Sequence, residues 1–318
     1  MINEERVIIS NDINLGATIA YKDKKEKRPL VLLISGTGSL DRDGNNLGFK
    51  SNIYKELSNM FVEMGYVCIR YDKRGTHESK GTGLNFGLSD LVNDAANIIH
   101  YAKKLDYIDE EKVVVCGHSE GAMIATLLTK NEDLDLKGII LLSGACMSLK
   151  DAMMYQNYLV LDQVKDMKGI LGWFLRKTLK KESIEKQISD FFLKAEHSKK
   201  NVYFYKGSII PTKYIREHNA LTKEYFIELL KAYKGKILAL TGKSDVQADY
   251  RVLEEISSFE NVTIDTPEQV NHVLRDVDGE SNIINIKKEY KLSFKKSIST
   301  KIKKSIKGWS EKLWFVKQ

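Results

Sequence analysis

Residues 113–121 read VVVCGHSEG and run directly into AMIATLLTK, so a β-branched apolar segment gives way within four residues to a helical one. Val113, Val114 and Val115 are the kind of run that belongs in a strand covered on both faces. Met123, Ile124, Leu127 and Leu128 recur at the spacing of a helix packed on such a sheet. Between them, Gly117, His118, Ser119, Glu120 and Gly121 fit the pattern GxSxG. Its two glycines let strand and helix approach closely around a strained serine, whose Oγ then stands above the sheet edge.

The rest of the chain repeats this alternation. Strands are expected at Arg6 to Ile9, Leu15 to Tyr21, Leu30 to Ile34, Val67 to Tyr71, Val113 to Cys116, Gly138 to Ser143, Lys236 to Thr241 and Val262 to Asp265. Helices are expected at Ile53 to Met64, Leu88 to Leu105, Glu120 to Lys130, Tyr250 to Ser257 and Thr300 to Phe315. This is the pattern of an α/β protein with a mostly parallel sheet of about eight strands. Between residues 146 and 235 the rhythm changes to Lys-, Leu- and Tyr-rich amphipathic sequence without a convincing strand. That segment reads as a helical cap inserted after the sixth strand, with 1–145 and 236–318 forming the core. The insertion leaves at the C-terminal sheet edge, where ligands bind in open α/β folds.

With 318 residues, 42% hydrophobic and 29% charged, the composition is that of a globular protein. No apolar stretch reaches the roughly 18 residues of a membrane span, and MINEERVIISND lacks a basic region followed by an apolar one. A cytoplasmic protein with no stable membrane insertion is therefore expected. Cys68, Cys116 and Cys146 sit in or just after apolar runs, an odd count without paired spacing, so buried core thiols are expected rather than disulfides or a metal site. The net charge of +7 is concentrated in residues 282–318, where 11 Lys face only Glu289 and Glu311. Such a tail is suited to weak association with an anionic surface. Ile302, Ile306, Trp309 and Leu313 nevertheless recur as one apolar face, which favours a helix docked on the sheet with its lysines in water, and nucleic acid is not an expected partner.

A serine hydroxyl is a weak nucleophile until a base takes its proton, and that base is usually a histidine oriented by a carboxylate. Of six histidines, His77 and His272 follow strands, and His272 in VNHVLRD satisfies the chain order Ser, acid, His. Asp245 after KILALTG is the leading acid, with Asp249 and Asp265 as competitors. The oxyanion needs two amides. Glu120 follows the nucleophile, and Thr37 lies in the glycine-rich loop SGTGS after the third strand. That loop lacks the Lys-Ser or Lys-Thr ending of a phosphate-binding loop, so no nucleotide, cofactor or metal is expected.

Four motifs, SGTGSLDRDGN, IRYDKRGTHES, GHSEG and the pair TGKSDVQAD with VNHVL, make the chain resemble the α/β-hydrolase superfamily over nearly its whole length. More narrowly it is similar to bacterial serine carboxylesterases of the cinnamoyl esterase and dienelactone hydrolase type. The resemblance implies Ser119, Asp245 and His272 as a catalytic triad, with Thr37 and Glu120 as oxyanion amides. Two positions depart from the group: its usual GSGP is GTGS here, and His77 replaces the second glycine of DKRGxGxS. His77 is thereby expected to reach the site entrance. Asp41, Arg42, Asp43, Asp72, Lys73 and Arg74 are expected to pair between two loops and hold the oxyanion segment. Glu120 is expected to donate its amide, its side chain being solvated or attracting a cationic substrate group.

The implied reaction is hydrolysis of a small to medium ester through an acyl-enzyme. Thioesterase, peptidase and acyltransferase activities use the same triad, and a silent ligand-binding hydrolase fold is the non-enzymatic alternative. In the cap, Met153, Met154, Tyr155, Tyr158, Trp173 and Phe174 either line an apolar substrate pocket or form the cap's own core. Met153, Tyr155 and Tyr158 are the substrate-binding residues expected from that segment.

Overall fold

In the computed structural model, which describes residues 1–10, 12–205 and 207–314, the apolar runs assemble into one eight-stranded sheet. Its strands are β1 (Asn3–Ser10), β2 (Asn14–Tyr21), β3 (Arg28–Ile34), β4 (Val67–Tyr71), β5 (Ile108–His118), β6 (Leu136–Leu142), β7 (Lys236–Leu240) and β8 (Val262–Asp265). They lie in the order β1-β2-β4-β3-β5-β6-β7-β8. β2 is antiparallel to both β1 and β4, and every pairing from β4 to β8 is parallel. This is the α/β-hydrolase fold.

Strand side chains alternate between two buried faces. Leu30, Leu32, Val113, Val115, Ile139 and Leu141 meet α2 (Leu88–Ala102) and α3 (Glu120–Leu128). Val31, Leu33, Val114, Cys116, Ile140 and Leu142 meet α1 (Ile53–Glu63) and the C-terminal helix Thr300–Trp314. Both faces are covered where β5 crosses the core, so its Val113–Cys116 run must be apolar. Val113, Val114 and Val115 are fully buried, each worth roughly 1.5–3 kcal/mol over exposure. All three cysteines are free and buried, and burial pushes the thiols of Cys68 and Cys146 up to about 12.

Between β6 and β7 come α4 (Leu149–Lys165), α5 (Gly169–Thr178), α6 (Lys181–His197), α7 (Thr212–Asn219) and α8 (Lys223–Ala232). The segment is not wholly helical, however. Val202–Tyr205 and Ser208–Pro211 pair as an antiparallel hairpin, because VYFY and SIIP are rich in aromatic and β-branched residues and Gly207 supplies a positive φ at the turn. The insertion has its own small core of Ile184, Ile188, Phe191, Phe192, Tyr203 and Ile215. α8 instead packs beside α3 and sends Leu230 into the main core, so this last helix before β7 belongs to the layer on the sheet.

After β8 come α9 (Ile286–Ser293) and α10 (Thr300–Trp314). α10 buries Ile302, Ile306 and Trp309 on the sheet. Gly138 on β6 makes room, since a Cβ there would lie 2.6 Å from the Trp309 ring. Phe315, where this helix was expected to end, lies outside the described residues. Among the described residues no helix is long and apolar enough to cross a membrane.

Candidate active site

Ser119 stands at the junction of β5 and α3 with φ +55° and ψ −120°, a conformation that costs a non-glycine residue of order 1–3 kcal/mol. The surrounding packing enforces it. A Cβ on Gly117 would come 2.0 Å from the Gly121 carbonyl oxygen, and one on Gly121 would come 2.2 Å from that of Ile34. Both glycines of the pentapeptide are therefore required by contact. Ser143, Cys146 and Leu274 also take positive φ at the ends of β6 and beside His272.

The loop after β7 carries Asp245 and the loop after β8 carries His272. His272 Nδ1 bonds Asp245 Oδ2 at 2.9 Å and Oδ1 at 3.1 Å, with both residues buried. The backbone N–H groups of Gln247 and Ala248 donate to Asp245 Oδ1 at 2.8 and 2.9 Å, fixing the carboxylate. This holds the proton on Nδ1 and leaves Nε2 free for the cavity. The competing acids have other partners: Asp249 caps the turn Tyr250–Ile256 and pairs with Arg251, while Asp265 accepts from Ser305. Ser119 and His272 line one cavity of about 390 Å³, although among the described residues no hydrogen bond joins them.

Thr37 and Glu120 line the same cavity. The SGTGS loop lies directly on the elbow, since a Cβ at Gly36 would be 3.0 Å from the Ser119 Cβ. The Gly36 amide is taken by the Tyr54 hydroxyl at 2.8 Å.

His118 joins this loop to the one bearing His272. Its Nε2–H donates to the His272 carbonyl at 2.8 Å, so its Nδ1 accepts from the Tyr54 hydroxyl at 3.1 Å. Burial lowers the His118 imidazole to about 3 and keeps it neutral. Burial likewise pushes the Tyr54 phenol up, so it stays a donor. The chain Gly36, Tyr54, His118, His272 thus connects the amide loop to the loop of the base.

Glu120 differs from its expected solvated state. Its side chain is buried, with Lys73 donating to Oε2 and Tyr214 to Oε1, while His218 Nε2 lies 3.5 Å from Oε1. Burial pushes this carboxyl up, but Lys73 and His218 outweigh it and hold it below the usual carboxylate range. Lys73 Nζ also donates to the Gly36 carbonyl at 2.9 Å, and Tyr214 lines the same cavity as Thr37. Of the six loop residues expected to pair with one another, Arg42 and Asp72 do so at 2.6 Å, whereas Asp43 takes Arg70 of β4 and Arg74 takes Asp94 of α2.

The expected substrate contacts divide. Met153 lines the cavity beside Leu149, Ala152 and Gln156. Tyr155 and Tyr158 do not, because they project from another side of α4 into a separate groove. Tyr155 donates to the Asp245 carbonyl at 3.1 Å, behind the site, and Tyr158 to Glu185 at 2.5 Å. Trp173 and Phe174 are exposed and belong neither to the lining of this cavity nor to the insertion's core. His77 is exposed too. It adopts the positive φ of the glycine it replaces, +46°, and its Nε2 meets the Ser39 carbonyl at 3.1 Å on the outer side of the loop, away from the cavity. Tyr54, His118, Tyr214 and His218 were not singled out as site residues in the sequence, and all four line the cavity. Among the described residues no three His, Cys, Asp or Glu side chains converge as a metal would require.

The chain is 25% identical over 269 residues to esterase EstD of Thermotoga maritima, covering 82% of this chain and 58% of that protein. It is 26% identical over 125 residues to the quorum-quenching protein AidA of Acinetobacter baumannii, 38% of each chain. Among solved structures, Est1E of Butyrivibrio proteoclasticus matches with a TM-score of 0.58 at 17% identity, over 97% of this chain and 98% of that one. Mouse alpha/beta hydrolase domain-containing protein 10 matches with a TM-score of 0.57 at 14% identity, over 97% and 99%. Those two structures share the strand-and-helix framework described above. A family model for Hydrolase_4, serine aminopeptidase S33, matches residues 46–252, a span that contains the elbow, the insertion and Asp245, and the chain belongs to that family.

Proposed function

We propose that this chain is a serine hydrolase that cleaves carboxylic esters of small to medium size through an acyl-enzyme on Ser119. One observation carries the reading: a serine held at positive φ shares a cavity with His272, whose Nδ1 is bonded to the buried Asp245. His272 Nε2 takes the Ser119 proton as Oγ attacks the acyl carbonyl. The amides of Thr37 and Glu120 receive the oxyanion, and His272 then protonates the leaving alcohol. Water repeats the cycle on the acyl-enzyme. The Ser119 to His272 contact tightens when substrate fills the cavity, as is common for catalytic hydrogen bonds that are loose at rest.

The residues 149–156 and 214–218 form the roof of this cavity, in keeping with a cap function for the insertion. A volume of about 390 Å³ suits a compact acyl or aryl group, and Met123, Met147, Met153 and Leu149 give it an adaptable apolar lining. The family description names aminopeptidases, whose substrates present a free ammonium. The lining favours a neutral ester instead: Glu120 is its sole acid among the described residues, and Lys73 and Tyr214 already occupy it.

A fluorophosphonate probe is expected to label the protein at Ser119, with Ser119→Ala abolishing both labelling and hydrolysis of short aryl esters. Labelling that persists in the variant defeats the assignment. Faster turnover of aminoacyl amides than of aryl esters by the unaltered protein defeats the choice of ester.

A further inference from the structure

α5 turns its apolar residues outward. Ile170 is 87% exposed, Leu171 and Trp173 58% each and Phe174 53%, while Gly172 is the one fully buried residue of the helix. Gly172 rests against the Met167 carbonyl, where a Cβ would come within 2.1 Å, so α5 is held to the end of α4 by a backbone contact. Arg176 reinforces the junction by donating to the Met167 carbonyl at 2.6 Å and that of Val164 at 3.1 Å. The outward side chains take no part in this attachment.

The charge around them is of one sign. Residues 165–181 contain Lys165, Lys168, Arg176, Lys177, Lys180 and Lys181 against a single acid, Asp166. Lys165 pairs with Asp162 and Lys181 approaches Glu185, whereas Lys168, Lys177 and Lys180 have no carboxylate partner among the described residues. Lys177 lies 5.3 Å from the centre of the Trp173 ring, so apolar and basic groups form one surface.

We infer that α5 docks this protein on an anionic lipid surface, with Ile170, Leu171, Trp173 and Phe174 entering the acyl boundary and the lysines meeting the headgroups. A helix with aromatic and aliphatic residues beside clustered lysines is suited to the plane of a bilayer interface. A second copy of the chain is a poorer occupant, because a two-fold contact brings the two copies of this basic cluster together. The basic C-terminal segment is not the docking element, since α10 commits its apolar face to the sheet. α4 spans 17 residues, about 25 Å, with its first half lining the catalytic cavity and its end carrying α5. Docking therefore leaves the cavity clear and concentrates the enzyme near lipid-soluble esters.

The test uses the full chain with vesicles of phosphatidylcholine alone or mixed equally with phosphatidylglycerol. Sedimentation is expected with the anionic vesicles only, weakening as salt rises from about 0.05 to 0.5 M. Tryptophan emission shifts to the blue on binding, and Trp173 is its source, because Trp309 is buried and Trp314 donates its indole N–H to Tyr66. The variant W173S/F174S loses at least about tenfold in vesicle affinity and K177Q about fivefold, with hydrolysis of a soluble short ester unchanged in both. Equal binding to neutral and anionic vesicles, undiminished binding of W173S/F174S, or no binding at low salt overturns the inference. So does a self-association abolished by W173S/F174S in place of vesicle binding. Vesicle binding involves no turnover, so its failure leaves the Ser119 assignment untouched.

Discussion

Replacing Lys73 with methionine isolates what holds the SGTGS loop against the elbow. Lys73 and Glu120 are both buried, and Lys73 also grips the Gly36 carbonyl. Removing one member of a buried ion pair strands the other charge and typically costs roughly 3–5 kcal/mol. Tyr214 still donates to Glu120, so the lower end, about 3 kcal/mol, is expected for Lys73→Met. The double variant K73M/E120Q strands no charge, and its loss should fall about 2 kcal/mol or more below the sum of the single losses. Urea unfolding at pH 7.5 with an unchanged m-value measures both.

The pH dependence supplies the sign. In the native protein the Glu120 carboxyl lies below its ordinary 4.5, so its contribution is complete above that value and fades as pH falls through the depressed one. Without Lys73, burial is opposed chiefly by His218, and the folded carboxyl is expected to rise above its unfolded value. The variant's deficit then shrinks as pH falls from 7.5 toward 5, because protonation relieves the stranded charge. A deficit under about 1 kcal/mol that does not vary with pH refutes the reasoning, since the pair would then contribute no more than an exposed one.

Two further substitutions separate positioning from bystander roles. Tyr54→Phe removes the hydroxyl that accepts from Gly36 and donates to His118, and is expected to lower kcat about tenfold with KM within twofold, read from steady-state hydrolysis of an aryl ester. An unchanged kcat would show that the loop holds without it. His77→Ala should leave kcat/KM within about twofold in the same assay, because the ring is exposed and meets only the Ser39 carbonyl; a tenfold loss would return His77 to the site.

The sheet, the elbow and the loops bearing Asp245 and His272 were readable because each depends on local pattern: a β-branched run, two glycines, a polar residue just past a strand. The partners that secure them were not. Tyr54 and His118 are 64 residues apart, Tyr214 and Glu120 94, and His118 and His272 154, and no periodicity carries information over such distances. The error over Tyr155 and Tyr158 is of another kind, for the signal was present. Leu149, Ala152, Met153 and Gln156 follow the spacing i, i+3, i+4, i+7, so helical phase alone selects the cavity face of α4 and excludes both tyrosines. Aromatic character suggested a pocket lining where phase should have decided.

Glu120 shows why a site can be legible in its backbone and opaque in its side chains. Its position after the nucleophile follows from the elbow, which requires only an amide there. Once α3 starts at that residue, the side chain points into the space between the Lys73 loop and α7, where a carboxylate is tolerable only with donors on both oxygens. Lys73 supplies one and Tyr214 the other, and Lys73 also grips the SGTGS loop through the Gly36 carbonyl. One buried charge thus ties the residue after Ser119 to the SGTGS loop through Lys73, and the insertion contributes to its support through Tyr214. Substitutions on α7 should consequently alter turnover as well as substrate choice, a coupling that a roof making only apolar contacts would lack.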